Sequence, residues 1–489
     1  MARYDSVVLG GYAVLPGRGV VRCDLGLKGG RIAAITDELA AGDGEEVVDA
    51  RGLLIFPGAV DSHFHIGIYR PIAEDARSET ASSLVGGVTT VLSYFRTGGH
   101  YLNRSGPYRE ILPEVLKATK GNAYTDYGYH IAPMTADQVA EIDWMASEAG
   151  VATFKFFMFY KGLNLSASST DTKSLTGSES YDLGHLYAIM EAAAKADTRY
   201  GSRGRISVSV HCENDEIIKQ FIRRVNEAGI GGLRAYSEAR PSVSERIAVH
   251  DSAAIAATTK ARLNLLHLSS AEALQAALEV QALYPWLDVR REATLHHLGL
   301  TYDLLEGKGL GGKVNPPLRT KDDVDALWQG VLEGKIDWIG SDHACTMSDL
   351  KGDELWPAAA GFGGTALMYP LIISEGYHKR GLSLGRIAEL LSTNPARAYA
   401  CDPRKGSIAL GADADLAIVD LEREQTVAPD LLHSAQDYTP FEGVRIKGWP
   451  VRTILRGRTA FLDGEVIGEP RGEFVARPLP KAAEALTAD

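Results

Sequence analysis

Leu53-Leu54-Ile55-Phe56-Pro57-Gly58-Ala59-Val60-Asp61-Ser62-His63-Phe64-His65 is an apolar run closed by a turn, followed by a strand-like stretch that ends in two histidines. Side chains on a strand alternate with period 2, so His63 and His65 point the same way and can hold one metal ion together. The rest of the chain reads as a scaffold that brings further ligands to that point.

Beyond Ile55, short apolar runs alternate with amphipathic stretches. The runs are Thr89–Tyr94, Ala123–His130, Ala152–Met158, Ile206–His211, Leu263–His267, Leu287–Glu292 and Ile336–Asp342. Helical patterns lie between them, among them Leu183–Tyr200, Asp215–Ala228, Ser244–Ala261 and Ala271–Leu283. This alternation predicts parallel strands joined by crossover helices. About eight strands over roughly 330 residues predict an α/β fold closed as a (β/α)8 TIM-like barrel with long loops. Several runs end in a polar residue: His65, Lys155, His211, His267 and Asp342. In such a barrel the C-terminal strand ends converge on the catalytic face. Taken singly, a strand-end histidine is a packed core residue and a strand-end aspartate is a helix cap. With His63, six side chains of metal-ligand type gather at strand ends, which packing alone accounts for poorly.

The ends of the chain read differently. Ser6–Leu9, Arg22–Leu27 and Arg31–Ile35 are strand-like and are separated by Gly10-Gly11, Pro16-Gly17 and Gly29-Gly30, which is hairpin chemistry. About 55 such residues would be marginal alone. Their partner is expected in Lys405–Ile408, Ala414–Asp420 and Thr453–Gly457. The organisation predicted is a small β-sandwich from residues 1–55 plus 403–470 and a barrel over 56–402. The tail, 471–489, is expected as an arm or a frayed end. Leu390–Tyr399 reads as a helix capped by Asn394 with Pro395 at its first position. The Ser/Thr-rich stretch from Leu163 to Glu179 fits a lid.

Bulk composition excludes several roles. The 489 residues are 45% hydrophobic and 23% charged, ordinary for a globular protein. The net charge is -12 with no long basic run, which argues against nucleic acid and anionic membranes as partners. Cys23, Cys212, Cys345 and Cys401 are scattered, so neither a disulfide framework nor a thiolate zinc site is suggested, and a reducing cytoplasm fits. No signal-peptide pattern or membrane-length apolar run is seen.

Together these motifs resemble the cyclic amidohydrolases of the hydantoinase and dihydropyrimidinase group, in the amidohydrolase superfamily. Pro57–His65 is similar to that group's first-strand motif, and Phe154–Gly162 to its carboxylated-lysine motif. His211-Cys212-Glu213-Asn214, His267-Leu268-Ser269-Ser270, Asn315-Pro316-Pro317-Leu318-Arg319 and Ser341-Asp342-His343 follow in the same order. Asp437–Gly443 and Gly448–Val451 resemble its C-terminal segment.

The resemblance implies two divalent ions per subunit, zinc, manganese or iron. His63, His65 and Asp342 would hold one ion and His211 and His267 the other. N6-carboxylated Lys155 would bridge them, since a carbamate turns a poor cationic ligand into a two-oxygen anion. The implied activity is ring opening of a cyclic amide, a dihydropyrimidine or 5-substituted hydantoin, to an N-carbamoyl amino acid. Asp342 would carry the proton, and Tyr160 would donate to the oxyanion. Alternatives on the same scaffold are an allantoinase, a dihydroorotase or a cyclic imide hydrolase. A non-catalytic assembly protein is the alternative from another class. Relatives imply a homo-oligomer, tetramer or dimer. Asn315 matches a ring-contacting position. Ala360–Thr365 replaces the group's Gly-rich loop without its ring-binding asparagine, so that Gly363 would contact the ring through its backbone. Arg70 and Arg96 are candidates for an anionic substituent. The ordinary reading of both arginines is a solvated loop charge. Cys212 is read as a small core residue, and His296-His297 as structural first, with a place lining the mouth as the alternative.

Overall fold

The computed structural model describes residues 2–160 and 181–478. The expected lid, Leu163 to Glu179, and the tail from Leu479 onward lie outside the described residues.

Eight parallel strands form the central sheet. They are β1 Ala59–His65, β2 Val88–Arg96, β3 Asp126–Ala132, β4 Thr153–Phe157, β5 Ser207–His211, β6 Leu263–Leu265, β7 Val289–Thr294 and β8 Trp338–Gly340. Each pairs in parallel with its sequence neighbour. The chain leaving β8 then adds His343–Ala344 alongside β1, pairing His343 with Phe64 and Ala344 with His65, which brings the last strand back to the first. Every residue of β1, β2, β3, β4 and β5 is buried, as strands covered on both faces require.

Crossover helices form where the apolar periodicity placed them. Leu183–Tyr200, Asp215–Ala228 and Ala271–Leu283 each start at a side chain that caps them: Asp182 accepts from Gly184 N, Asn214 from Ile217 N and Ser270 from Ala273 N. The next helix spans Ser242–Thr259, starting directly after Pro241 rather than at Ser244.

A second, mixed sheet draws on both chain ends. In it Leu54–Pro57 lies between Tyr4–Leu15 and Leu416–Thr426, with Arg445–Leu455 beyond. Val8, Leu25 and Ile55 from the first end share a core with Leu416, Ile418 and Ile454 from the other. The N-terminal strands therefore have the C-terminal partner that their small size demanded.

Three local readings differ from the structure. Gly10-Gly11 does not separate two strands. It is a bulge inside Tyr4–Leu15, with Gly10 at φ 73 donating to Asp24. Asn394 is not a cap. The helical chain runs on into it from Glu389–Thr393, so no helix terminus needs one, and its amide donates to the Asp337 carbonyl instead. Residues 471–478 are docked against the N-terminal end of β3. Tyr127 N donates to Glu473 O, Val475 N donates to Tyr127 O, and the fully buried Arg477 donates to Tyr129 O.

Candidate active site

The C-terminal ends of the barrel strands surround a cavity of about 250 Å³. His63, His65, Lys155, His211, His267 and Asp342 all line it. Six positions drawn from more than 270 residues of sequence thus meet at one place, which is what barrel closure does to strand ends.

His63 Nε2 and His65 Nε2 lie 3.0 and 3.2 Å from the same oxygen, Asp342 Oδ1. The second nitrogens are also engaged. His63 Nδ1 bonds Glu292 Oε1 at 2.6 Å and His65 Nδ1 meets the Tyr101 hydroxyl at 3.2 Å. Asp342 is set by its chain: Ser341 N and Oγ donate to the buried Asp61, pinning the end of β8 to β1. Asp342 and His267 both sit at positive φ, 50 and 35, where a non-glycine residue is strained and persists only when its surroundings fix it.

The His211 and His267 rings are 4.3 Å apart, and the His63 and His267 rings 5.2 Å. Burial pushes the His211 imidazole down to about 4, against the opposing pull of Glu213, and pushes His267 well down with His211 adding to the effect. Both rings are therefore neutral at pH 7, the state in which imidazole ligates a metal. Nothing pairs with His267 Nδ1 among the described residues.

Lys155 is 1% exposed. Its Nζ lies 4.4 Å from the Tyr94 ring centre and 4.8 Å from that of Phe157. It forms no ion pair with a carboxylate among the described residues. Burial pushes its ammonium down to about 7, although Asp342 and Glu292 act the other way. A lysine with a solvated head would show neither feature.

A metal centre fits this donor set. Three ligand atoms of His63, His65 and Asp342 lie within 4.8 Å of one another, two neutral histidines stand beside them, and the histidines are oriented from behind. The orienting residues are ones the sequence reading missed. Glu292, at 0% exposure, accepts from His63 Nδ1, from His267 N at 3.0 Å and from Trp338 Nε1 at 2.9 Å. Glu213 holds His211 Nε2 at 2.6 Å and is itself held by Arg240. The available signal was a carboxylate at the end of one strand and another two residues after a candidate ligand. Glu292→Gln is expected to weaken metal retention and turnover about ten- to a hundredfold, the usual effect of losing an outer partner. Metal content after dialysis, read beside kcat, checks it.

The remaining candidates divide. Tyr160 and Asn315 line the cavity, Asn315 Oδ1 accepting from the Tyr236 hydroxyl at 2.5 Å. Arg96 also lines it, 4% exposed, over the ring of Tyr160 at 5.4 Å, so the expectation of a solvated loop charge is wrong for this residue. Arg70 does not line the cavity. Its guanidinium turns back onto the Ile72–Val85 helix, 3.1 Å from Asp75 and 3.8 Å from Glu79, because those buried carboxylates need a cation. Gly363 does not line it either, and its N–H donates to Gln436 Oε1. Ala360 and Gly361 of the same loop do. That loop is anchored by two lysines: Lys351 Nζ donates to the carbonyls of Lys313, Ala359 and Gly361, and Lys313 Nζ to those of Leu355 and Ala358. Cys212 and His296-His297 are buried outside the cavity, as expected. No helix among the described residues is long and apolar enough to cross a membrane.

The sequence matches the Amidohydrolase family over residues 54–460. It is 33% identical over 485 residues to an allantoinase of Rubrobacter xylanophilus, covering 99% of this chain and 100% of that protein. It is 29% identical to a D-hydantoinase of Geobacillus stearothermophilus, over 94% of this chain and 93% of the relative. Among solved structures, the L-hydantoinase (dihydropyrimidinase) of Arthrobacter aurescens superposes with a TM-score of 0.86 at 26% identity, over 97% of this chain and 100% of the other.

Proposed function

The chain belongs to the amidohydrolase family, as a hydrolase of cyclic-amide C–N bonds, and from that premise we propose that its substrate is a hydantoin-type cyclic ureide carrying a polar substituent, with allantoin the representative compound. The ring opens at an in-ring amide bond to an N-carbamoyl or N-carbamoyl-like acid. His63, His65 and Asp342 would hold one divalent ion and His211 and His267 a second, with carboxylated Lys155 between them. When bound, such ions acidify a water and polarise a carbonyl oxygen.

The chain's own groups do the rest. Burial of Lys155 keeps part of its amine neutral near pH 7, the form that adds carbon dioxide. Burial disfavours charge on Asp342, but His63, His65 and His267 together outweigh it and hold the carboxyl well below the usual range, so it is ionised and able to accept the attacking water's proton. The same oxygen then returns that proton to the leaving ring nitrogen. Tyr160 faces the cavity and donates its hydroxyl to the developing oxyanion.

The observation that carries the substrate reading is Arg96. Its buried guanidinium opens onto the cavity and has no carboxylate partner among the described residues; it donates to the Thr97 carbonyl at 3.1 Å and to the Tyr160 hydroxyl, both neutral acceptors. A buried cation so placed favours a ligand oxygen that completes its bonding. An unsubstituted ring such as dihydrouracil offers none beyond the reacting imide. Allantoin, 5-methylhydantoin and dihydrouracil should be compared on the metal-loaded enzyme. Allantoin is expected to give the highest kcat/KM, and Arg96→Gln to lower that value about ten- to a hundredfold, the range for a hydrogen bond to a charged group. Higher kcat/KM on dihydrouracil, or no effect of the substitution on allantoin, would move the assignment to a dihydropyrimidine.

A further inference from the structure

A second cavity, of about 520 Å³, lies where the two sheets and the docked C-terminal segment meet. None of its lining residues touches the catalytic cavity. It borders Asp126, at the N-terminal end of β3, and so opens on the face of the barrel opposite the metal ligands. Five arginines line it, Arg31, Arg404, Arg456, Arg458 and Arg471, against two carboxylates, Asp413 and Glu473.

Those carboxylates are already neutralised. Asp413 pairs with Arg404 and with the buried Lys405, both at 2.8 Å, and Glu473 lies 3.3 Å from Arg456. Arg456 also pairs with Asp126. Arg31, Arg458 and Arg471 form no ion pair among the described residues. Arg31 donates to the Gly411 carbonyl, and Arg471 reaches only the carbonyls of Thr459 and Ile467, at 3.5 and 3.4 Å. Burial disfavours the charge of Arg456 and Arg471, and the neighbouring guanidinium groups, Arg458 among them, add to it by repulsion, as cations gathered in one concavity do. In a chain of net charge -12, no carboxylate beyond the two already paired lines the cavity to relieve that repulsion.

We propose that this cavity is a second binding site, for the oxyanion group of a small phosphate or carboxylate compound, held by Arg31, Arg458 and Arg471. Planar guanidinium forks bind such groups bidentately. The three come from different segments, the turn after Gly30, the hairpin after Arg456 and the docked C-terminal stretch. A bound oxyanion therefore ties both ends of the chain together and stabilises the folded state.

The test is thermal unfolding of the full chain in inorganic phosphate, in succinate and in sodium chloride at matched ionic strength. A saturating rise in Tm of about 1 °C or more over chloride is expected with one of the oxyanions. Phosphate or succinate as the active arm identifies the ligand class. Arg458 is exposed and unpaired, so Arg458→Gln should fold normally and lose the rise, as should Arg31→Gln. Equal Tm in all three salts, or a rise that survives in Arg458→Gln, overturns the proposal.

Discussion

Lys155→Ala should lose at least about a thousandfold in kcat/KM and fall below two metals per chain, a larger loss than the ten- to hundredfold that follows removal of an outer partner. The expectation rests on where the amine sits. A structural lysine at a strand end lays its stem on apolar surface and keeps its head in water. Lys155 is buried among Tyr94 and Phe157, inside the ring of histidines, with its ammonium lowered to about 7. An unpaired buried charge is a net liability, so retention of an amine there points to a modified, anionic form that the histidine-held ions would compensate. Alanine also opens a cavity, so Lys155→Met, which keeps most of the volume and lacks the nitrogen, is the paired variant. Both should lose metal and turnover alike, read by elemental analysis and ring-opening assay, while Lys155→Met keeps near-normal Tm. Turnover surviving in Lys155→Met would exclude a carboxylated lysine from the reaction.

The first-strand ligands were legible because a period-2 pattern fixes direction without any tertiary knowledge, and His63 and His65 obey it. The crossover helices were legible because their caps, Asp182, Asn214 and Ser270, stand next to clean apolar periodicity. What failed depended on long-range contacts or on ambiguous local chemistry. Glu292 lies 229 residues from the His63 ring that it orients, and nothing near it in sequence distinguishes it from any polar strand end. Arg70 and Arg96 look alike in the chain. One follows acids in space and the other follows tyrosines, and only the fold decides which faces the cavity. Gly10-Gly11 was ambiguous in principle, since a hairpin turn and a bulge both use a glycine at positive φ. Asn394-Pro395 carries the signal of a helix start, yet the preceding turn runs straight into it.

Asp342→Asn should lower kcat by about 10²–10⁴-fold with little change in KM, the range expected when a general base is removed from a site that still binds substrate. The substitution keeps the shape of the side chain at a strained backbone position, so Ser341 and Asp61 should still fix its place. It also keeps an oxygen for His63 Nε2 and His65 Nε2, which now stand 3.0 and 3.2 Å from Oδ1. What it removes is the ability to take a proton from water and return it to nitrogen. Asp342 has a dual placement, as one corner of the three-ligand cluster and as a wall of the substrate cavity, and the two roles predict different deficits. If it serves only as a ligand, metal content falls and excess metal in the assay restores turnover. If it also relays the proton, turnover stays low in protein that elemental analysis shows to be fully loaded. Near-normal kcat in loaded Asp342→Asn would leave the relay to another group, and no other carboxylate among the described residues lines that cavity.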